Sequence, residues 1–520
     1  MALEEIENLN LDQSSSFIAR PNHNYDFLNQ FDLGSEVNRR LALNLDRIVS
    51  GSDDVYLSPI GKANGPDSLL SDLDEIFENN QSLIDADLLS LELNNKAKFG
   101  PRSLAAPWSS RKKSMLAYYE NDKRDVAPLV LKGFKDVKRN LRPIPISKGI
   151  ELLKNSTNSG LPYFTRKGLV KDRTVLNFKS QLEAEYPCVL FTRTQEGGKT
   201  RNVWGYPMVD TLNEMLYYKP LLDYQKRLEW RSSLLGPEHV DRAVTSLISE
   251  SHLAGKSLLS VDFSGFDSTV TSDLQESCFD YINSLFQEGY QKDIDYIKYR
   301  FNTIGIITPD GILTGPHGVP SGSTFTNEVD SIAQFRAYQM SGVSSKKFQI
   351  QGDDGLYSLS TNEYEALKGK FLSCGLVLND EKSYFNDRFC VFLQKLYSKA
   401  YIKDGLIGGI YPLYRALNRI IYQERYSNFE DFDLSGQDYY SIRTISILEN
   451  CKYHPLFEVF VRFIISKDKY LLKFSRSSLS NYSRMADMGK AGVGVIINQY
   501  GDDISGIENF ATVKLINSIS

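Results

Sequence analysis

The clearest alternation of apolar and polar positions lies in the middle of the chain. Lys256 to Phe263 (KSLLSVDF) is an apolar run of strand length. From about Ser272 to Phe301 apolar residues recur at every third or fourth position, which predicts a helix. Phe348 to Ser358 (FQIQGDDGLYS) alternates, turns at Gly-Asp-Asp-Gly and alternates again, which predicts a hairpin. Ser360-Thr361-Asn362-Glu363 fits a capping box. Tyr364, Leu367, Phe371 and Leu372 then share one helical face, and Gly375 closes the helix. Phe389 to Tyr397 reads as a further strand, and the pattern beyond about 400 is mainly helical. Ser50 to Asp54 and Gly61 to Pro66 read as loops. Strand, helix, hairpin, helix and strand in that order predict an α+β core, an antiparallel sheet backed by helices.

Composition sets bounds without changing that picture. A chain of 520 residues with 41% hydrophobic and 24% charged side chains is neither disordered, collagenous nor a disulfide scaffold. Its formal net charge of −5 argues, as one number, against a nucleic-acid partner. The distribution reverses that inference. Residues 1–100 carry 18 acidic and 7 basic side chains, whereas 101–205 carry 21 basic and 9 acidic. Charge runs are often only solvated helix faces, so the acidic head and basic block describe a polarised surface and identify no partner by themselves. The start, MALEEIENLN, lacks the basic and apolar regions of a signal peptide. The most apolar stretch, Leu456 to Ile465, is interrupted by Glu458 and Arg462, so no membrane partner is expected. Cys188, Cys278, Cys374, Cys390 and Cys451 form no C-x-x-C pair and read as reduced, buried thiols. The five scattered histidines show no metal-ligand spacing and read as structural. Gly489, Gly492 and Gly494 lack the Lys-Ser/Thr of a phosphate-binding loop.

The candidate chemistry is a set of carboxylates at strand ends. Asp262 closes the apolar strand, and Asp353 and Asp354 occupy the hairpin turn. If the two elements pair side by side, the three carboxylates meet at one edge of the sheet. Adjacent carboxylates repel, so such a group calls for cations. Hard oxygen donors with no His or Cys nearby select Mg²⁺ or Mn²⁺. Two such ions about 3.5–4 Å apart can clamp an in-line phosphoryl displacement, one activating the attacking hydroxyl and one stabilising the leaving pyrophosphate. Gly-Asp-Asp alone is weak, and Gly501-Asp502-Asp503 repeats it in what reads as a surface turn.

Context gives the first copy its weight. Asp262-Phe-Ser-Gly-Phe-Asp267, Ser321-Gly322 with Thr326, Gly352-Asp353-Asp354, Gly375 to Lys382 and Phe392 to Lys395 follow one another in that order. Upstream lie Asn158-Ser159-Gly160-Leu161-Pro162 and Lys199-Thr200-Arg201. This series resembles the ordered motifs of viral RNA-dependent RNA polymerases, and it spans about 45% of the chain. GVPSGSTFTNEVDS and GDDG are most similar to the picobirnavirus polymerases and next to those of partitiviruses.

The resemblance implies a right-hand polymerase fold with fingers, palm and a mostly helical thumb. It places an N-terminal extension bridging fingers and thumb at 1–100, and fingers at 101–205 and 270–315. The palm falls at 206–269 and 316–400, and the thumb with a C-terminal segment at 401–520. It implies Asp262 and Asp353 as metal ligands with Asp354 in support, and Asp267 as a sensor of the ribose 2′-hydroxyl. A helix N-cap is the plainer reading of Asp267. Ser321 and Gly322 would form a mobile loop under template and nucleotide, Gly supplying unusual dihedrals. The family's usual Asn is replaced here by Asp330, while Asn327 lies one turn earlier; either could hold Asp267 or the ribose. Lys382 would be the general acid for pyrophosphate. Lys199 and Arg201, with Arg193 beside them, would neutralise the incoming triphosphate. Lys395 would support the primer strand.

The expected activity is RNA-directed RNA synthesis from ribonucleoside triphosphates on an RNA template, in a virus with a segmented double-stranded RNA genome. Initiation would need no primer, the enzyme would be monomeric, and it would work beside the capsid protein, inside the virion or in the host cytoplasm. Residues 485–520 could form an initiation platform or plug. A reverse transcriptase and a catalytically inactive RNA-binding scaffold are the alternatives. Asp267 and Gly352 disfavour the first, and the intact carboxylates with Lys382 disfavour the second.

Overall fold

The computed structural model describes residues 23–120, 139–486, 495–497 and 503–519. The glycines at 489–494 and the second Gly-Asp-Asp, at residues 501 and 502, lie outside the described residues, as does much of the 485–520 segment.

The chain begins with three helices that pack on two different bodies. Helix α1 (Ser35–Ser50) buries Leu41, Ala42, Leu45 and Ile48 against Val189, Leu190, Trp204 and Ile306. Helix α2 (Pro66–Asn79) buries Leu69, Leu73 and Phe77 against Leu413, Leu417, Ile420 and Phe460. Helix α3 (Ala86–Lys96) adds Leu88, buried beside Leu396 and Ile410. Each such Leu or Phe contributes roughly 1.5–3 kcal/mol. The stretch predicted as a loop at Gly61–Pro66 is instead a short helix, Pro59–Asn64, capped by Ser58. A Cβ on Gly61 would stand 2.9 Å from Ile421 Cγ2, so this glycine marks close packing rather than a turn.

Strands β1 (Cys188–Thr194) and β2 (Thr200–Gly205) form a hairpin. Helix α4 (Met208–Gln225) follows. Strand β3 (Ser257–Val261) is the predicted apolar strand. Its continuous apolar run has a reason. Leu258 faces Val244 and Leu247 of the Pro237–Leu253 helix, whereas Leu259 and Val261 face the helices on the other side. Buried on both faces, the strand carries no polar alternation.

The helix predicted from Ser272 to Phe301 is two helices, α5 (Ser272–Leu285) and α6 (Gln291–Thr303). The break falls where the Leu285 carbonyl accepts the Asn140 and Leu141 N–H groups, both at 3.1 Å, and where Phe286 bridges Leu141. Apolar spacing does not reveal a backbone captured from elsewhere in the chain. Strands β4 (Ile306–Thr308) and β5 (Gly311–Leu313) complete a sheet of order β2-β1-β4-β5.

Helix α7 (Thr326–Met340) leads to the predicted hairpin, β6 (Phe348–Gln351) and β7 (Asp354–Leu359). Helix α8 (Thr361–Ser373) carries the predicted capping box at Ser360 and Glu363. Its buried face is Leu367 and Phe371, with Tyr364 stacked on Phe385 at 4.4 Å; Leu372 points to solvent, 63% exposed, contrary to the predicted stripe. Strand β8 (Tyr384–Asn386) closes the central antiparallel sheet in the order β6-β7-β3-β8.

The strand predicted over Phe389–Tyr397 is a tight hairpin, β9 (Phe389–Phe392) and β10 (Lys395–Ser398). Leu393 and Gln394 turn it at φ of 50° and 64°. Neither residue type advertises a left-handed turn, which explains the misreading. The remaining chain is mainly helical, through α9 (Leu413–Ile421), α10 (Gly436–Glu449) and α11 (Phe457–Lys467). At the C-terminal end Thr512 Oγ1 donates to Glu449 at 2.9 Å, seating the last helix on α10. All five cysteines are buried and unbridged. His317 is buried between the Gly318 and Ile304 carbonyls. Among the described residues no helix is long and apolar enough to cross a membrane.

One contact ties the N-terminal helices to the C-terminal ones at a specific point. Helix α9 starts after Pro412 with no side-chain cap of its own. Fully buried Glu92 of α3 accepts the Leu413 and Tyr414 N–H groups at 2.7 and 3.2 Å, with His454 Nε2 3.1 Å from it. A buried carboxylate at a helix N-terminus serves both the orphan donors and the dipole. Glu92→Ala is expected to cost about 2 kcal/mol, read as a lower thermal unfolding temperature. An unchanged transition contradicts the cap.

Candidate active site

The carboxylates meet because of strand register. Val261 pairs with Gly355, and Gln351 pairs with Asp354. Asp262, one residue beyond β3, therefore lies beside Asp354 at the start of β7, with Asp353 exposed in the turn between β6 and β7. Burial first, then Asp353 and Asp262, push the Asp354 carboxyl up, and Arg415 pulls it the other way. Burial also raises Asp262, offset by Lys382 and Lys199. The predicted convergence is therefore present in the backbone and in the electrostatics. Among the described residues, however, no three His, Cys, Asp or Glu side chains stand close enough together to hold an ion.

The turn itself is clamped by α7. Gly352, at φ 63°, donates its N–H to Ser331 Oγ at 2.8 Å and accepts Gln334 Nε2 on its carbonyl at 2.7 Å. A Cβ there would stand 3.0 Å from Asn327 Nδ2, so both the dihedral and the space require glycine. Tyr357 OH, from β7, donates to Gln334 Oε1 at 2.8 Å and fixes the amide. Nothing in the sequence marked Ser331 or Gln334, because their role depends on two elements meeting.

Lys382 reaches the site by a second latch. The Asn379 N–H donates to the Asp262 carbonyl at 2.8 Å. Ser383 Oγ accepts the Asp262 N–H at 3.1 Å. The turn at 379–383 is thus strapped to the end of β3, and Lys382 projects from it, exposed.

Asp267 is the second residue of a short helix, Phe266–Thr269, whose cap is Gly265; the plain N-cap reading of Asp267 is wrong. Burial and then Asp353 raise its carboxyl, and Arg201 lowers it. Asp330 is buried, and one carboxyl oxygen has no hydrogen-bond partner. Burial, Asp267 and Asp353 hold it well above the usual carboxylate range. Asn327 is committed elsewhere, its Oδ1 accepting Gln351 Nε2 at 2.9 Å and Arg231 Nη2 at 3.4 Å. Of the two candidates for a partner to Asp267, the structure therefore places Asp330 in its field. Arg231 also pairs with Glu328 at 2.7 Å with both side chains fully buried. Breaking such a pair costs about 3–5 kcal/mol.

Ser321 and Gly322 dock on β2. Ser321 Oγ accepts the Trp204 N–H at 3.4 Å, and a Cβ on Gly322 would fall 1.6 Å from the Trp204 carbonyl oxygen. Gly322 is needed for room, not for a left-handed dihedral as expected. Fully buried Glu214 of α4 accepts Ser323 Oγ and the Thr324 N–H at 2.7 and 2.6 Å, and burial pushes it up to about 7. Thr326 Oγ1 donates to the Pro320 and Ser323 carbonyls at 2.8 and 2.9 Å, so it shapes this loop.

Lys199 and Arg201 leave the β1–β2 hairpin exposed, beyond Gly197 and Gly198 at φ of 70° and 69°. Burial, then Arg201 and Lys382, lower the Lys199 ammonium, while Asp262 and Asp353 raise it. Arg193, expected beside them, pairs with Arg201 across the β1–β2 ladder and also lies 3.6 Å from Glu424. Lys395, expected on the primer, is half-buried near Asp241, and burial lowers its ammonium. Two cations that no motif flagged also face the carboxylates, Lys98 toward Asp262 and Arg415 toward Asp354.

This is the right-hand polymerase fold of α+β class, with its antiparallel central sheet backed by helices. The chain belongs to the viral RNA-dependent RNA polymerases, whose family model matches residues 106–455. It is 28% identical over 530 residues to the potential RNA-dependent RNA polymerase of a human picobirnavirus, covering 92% of this chain and 97% of that one. Over 284 residues it is 25% identical to the RNA-directed RNA polymerase of Cryptosporidium parvum virus 1, covering 48% of this chain and 53% of that one. The crystal structure of a human picobirnavirus RNA-dependent RNA polymerase superposes with a TM-score of 0.76 at 26% identity, over 92% of this chain and 96% of that one. An insertion-loop deletion mutant of such a polymerase gives 0.78 at 26% identity, over 94% and 100%. The chain is accordingly an RNA-directed RNA polymerase of a double-stranded RNA virus family, with RNA and nucleotides as substrates.

Asp330 gives a pH test. Held above its ordinary value, it keeps its proton in the folded protein at a pH where the unfolded chain has lost it. Stability then falls as pH rises out of the ordinary carboxylate range. Asparagine has no proton to lose. Asp330→Asn is expected to gain thermal stability relative to wild type as pH is raised from about 5 to about 8. A difference in unfolding temperature that stays constant with pH contradicts the assignment.

Proposed function

We propose that this polymerase joins ribonucleotides by two-metal nucleotidyl transfer, starts chains without a primer, and both transcribes and replicates a segmented double-stranded RNA genome. The observation that carries the reading is the register that sets Asp262 beside Asp354 with Asp353 in the adjoining turn. The donor set fits Mg²⁺ or Mn²⁺, being carboxylate oxygen with no His or Cys among the residues gathered there. Asp262 and Asp353 would be the principal ligands and Asp354 a supporting one. Bound there, the ions supply Lewis acidity to the attacking hydroxyl and the leaving phosphates.

The chain's own groups do the rest. Lys199 and Arg201 bind the triphosphate, Lys as a point charge and Arg as a fork. Lys382 holds a proton for the departing pyrophosphate, and the strap to Asp262 sets its distance. Asp267 accepts a hydrogen bond from the ribose 2′-hydroxyl. A neutral Asp330 has a proton to donate, so it can bridge to Asp267 or to the ribose. Ser321, Gly322 and Thr326 keep the loop beneath the nucleotide against β2.

The N-terminal extension covers 1–100, the fingers 101–205 and 270–315, the palm 206–269 and 316–400, and the thumb with the C-terminal segment 401–520. The N-terminal extension acts as a brace from fingers to thumb, supported by α1 on one body and α2 and α3 on the other. The enzyme works as a monomer beside the capsid protein, within the virion or host cytoplasm.

Wild-type protein is expected to make RNA from NTPs on a primer-free single-stranded template with Mg²⁺ or Mn²⁺, and to stop when the metal is chelated. Incorporation of dNTPs should be lower by about two orders of magnitude. Equal use of dNTPs would restore the reverse-transcriptase reading, strict need for a primer would remove primer independence, and no synthesis at all would favour the scaffold. Deleting residues 1–50, which removes α1, is expected to lower both the unfolding temperature and RNA synthesis. Unchanged values would contradict the brace.

A further inference from the structure

We propose that Lys98, at the end of the N-terminal extension, binds the triphosphate of the incoming nucleotide and the pyrophosphate that leaves. The inference rests on the nucleotidyl-transfer reading above and extends it to a residue outside every motif of the sequence.

The position of Lys98 is fixed from both sides. It lies two residues beyond α3, and its N–H donates to the Asn95 carbonyl at 3.1 Å. Glu92 of the same helix caps α9. Two residues after Lys98, the Gly100 N–H donates to Asn418 Oδ1 of α9 at 2.9 Å. Arg102, buried, sits 3.4 Å from Glu196 and 3.6 Å from Glu424. Arg415 of α9 holds the same Glu196 at 3.3 Å. Glu196 therefore joins the fingertip to the segment that follows Lys98 and to α9 at once. The Lys98 stem runs along that fingertip, 3.8 Å from where a Cβ on Gly197 would stand. Lys199 is two residues further along the same loop.

Lys98 as a residue is exposed while its ammonium lies partly screened from water, and among the described residues it forms no ion pair. It faces Asp262 and Glu196 on one hand and Lys382 and Arg415 on the other, and burial and these like charges lower its own ammonium. Lys199, Arg201 and Lys382 likewise form no ion pair among the described residues. Four cations thus stand round a carboxylate group without neutralising it in contact. Such an arrangement is stable in the presence of a multivalent anion that the carboxylates themselves do not repel, namely a metal-bound phosphate chain. Template and product backbone carry single, spaced charges, and Lys98 shares its surroundings with Lys382 and Asp262 rather than with an open basic groove. The phosphate chain of the nucleotide is the better match.

The test compares wild type, Lys98→Ala and Lys98→Arg in single-nucleotide addition to a primed RNA template, at a metal concentration that saturates wild type. Thermal unfolding verifies that the variants are folded. Lys98→Ala is expected to raise KM for the NTP about tenfold with a smaller change in kcat, and to weaken pyrophosphate inhibition by a similar factor. Lys98→Arg should restore most of both, and the dissociation constant for RNA should move little. Unchanged KM and pyrophosphate inhibition in Lys98→Ala would overturn the proposal. So would a loss of RNA affinity with KM for the NTP unaltered, which would assign Lys98 to the nucleic-acid backbone. Wild-type addition that proceeds without divalent metal would instead overturn the two-metal reading, which separates the two failures.

Discussion

The constraint on which the structure turns is the mutual repulsion of carboxylates gathered at one end of the central sheet. Asp262, Asp267, Asp330, Asp353 and Asp354 lie in one another's fields. Such a group opposes folding unless other interactions hold it. The protein manages it in two ways. It surrounds the group with cations from four separate stretches, Lys98, Lys199 with Arg201, Lys382 and Arg415. It also fixes the backbone that carries the acids so firmly that repulsion cannot open the site.

That fixing is done largely by helix α7 and by the turn at 379–383. Ser331 and Gln334 hold both polar groups of Gly352, and Asn379 and Ser383 hold both polar groups of the Asp262 backbone. Helix α7 is anchored in turn by the buried Arg231–Glu328 pair and, through its preceding loop, by Glu214. Polar interactions of this kind stabilise little on balance but are costly to break, which suits a scaffold that must hold one geometry. The fingertip has a separate support. Glu196 between Arg102 and Arg415 makes its position depend on the segment after α3 and on α9 together.

Much of this was legible in the sequence, and the parts that were not share a cause. The apolar run at 256–263, the alternation about Gly352 and the capping box at Ser360 are local signals, and each is present as read. The order of the motifs identified the family that the comparisons established. Local signals failed where a distant segment decides the outcome. The long helix breaks at Phe286 because residues 140–141 bind there. Lys98, Arg415, Ser331 and Gln334 carry no motif, since their roles exist only once the extension, the thumb and α7 are folded against the palm. The net charge of −5 was the least informative number, because what matters is where the cations meet the acids.

The central claim is that the carboxylates at the β6–β7 turn, and not the second Gly-Asp-Asp near the C-terminus, perform the reaction. Primer-free RNA synthesis with Mn²⁺ or Mg²⁺ by Asp353→Asn and by Asp502→Asn, set against wild type, tests it directly. The account predicts loss of synthesis by about three orders of magnitude or more in Asp353→Asn and activity near that of wild type in Asp502→Asn. Synthesis that survives Asp353→Asn, or that vanishes in Asp502→Asn, would contradict it.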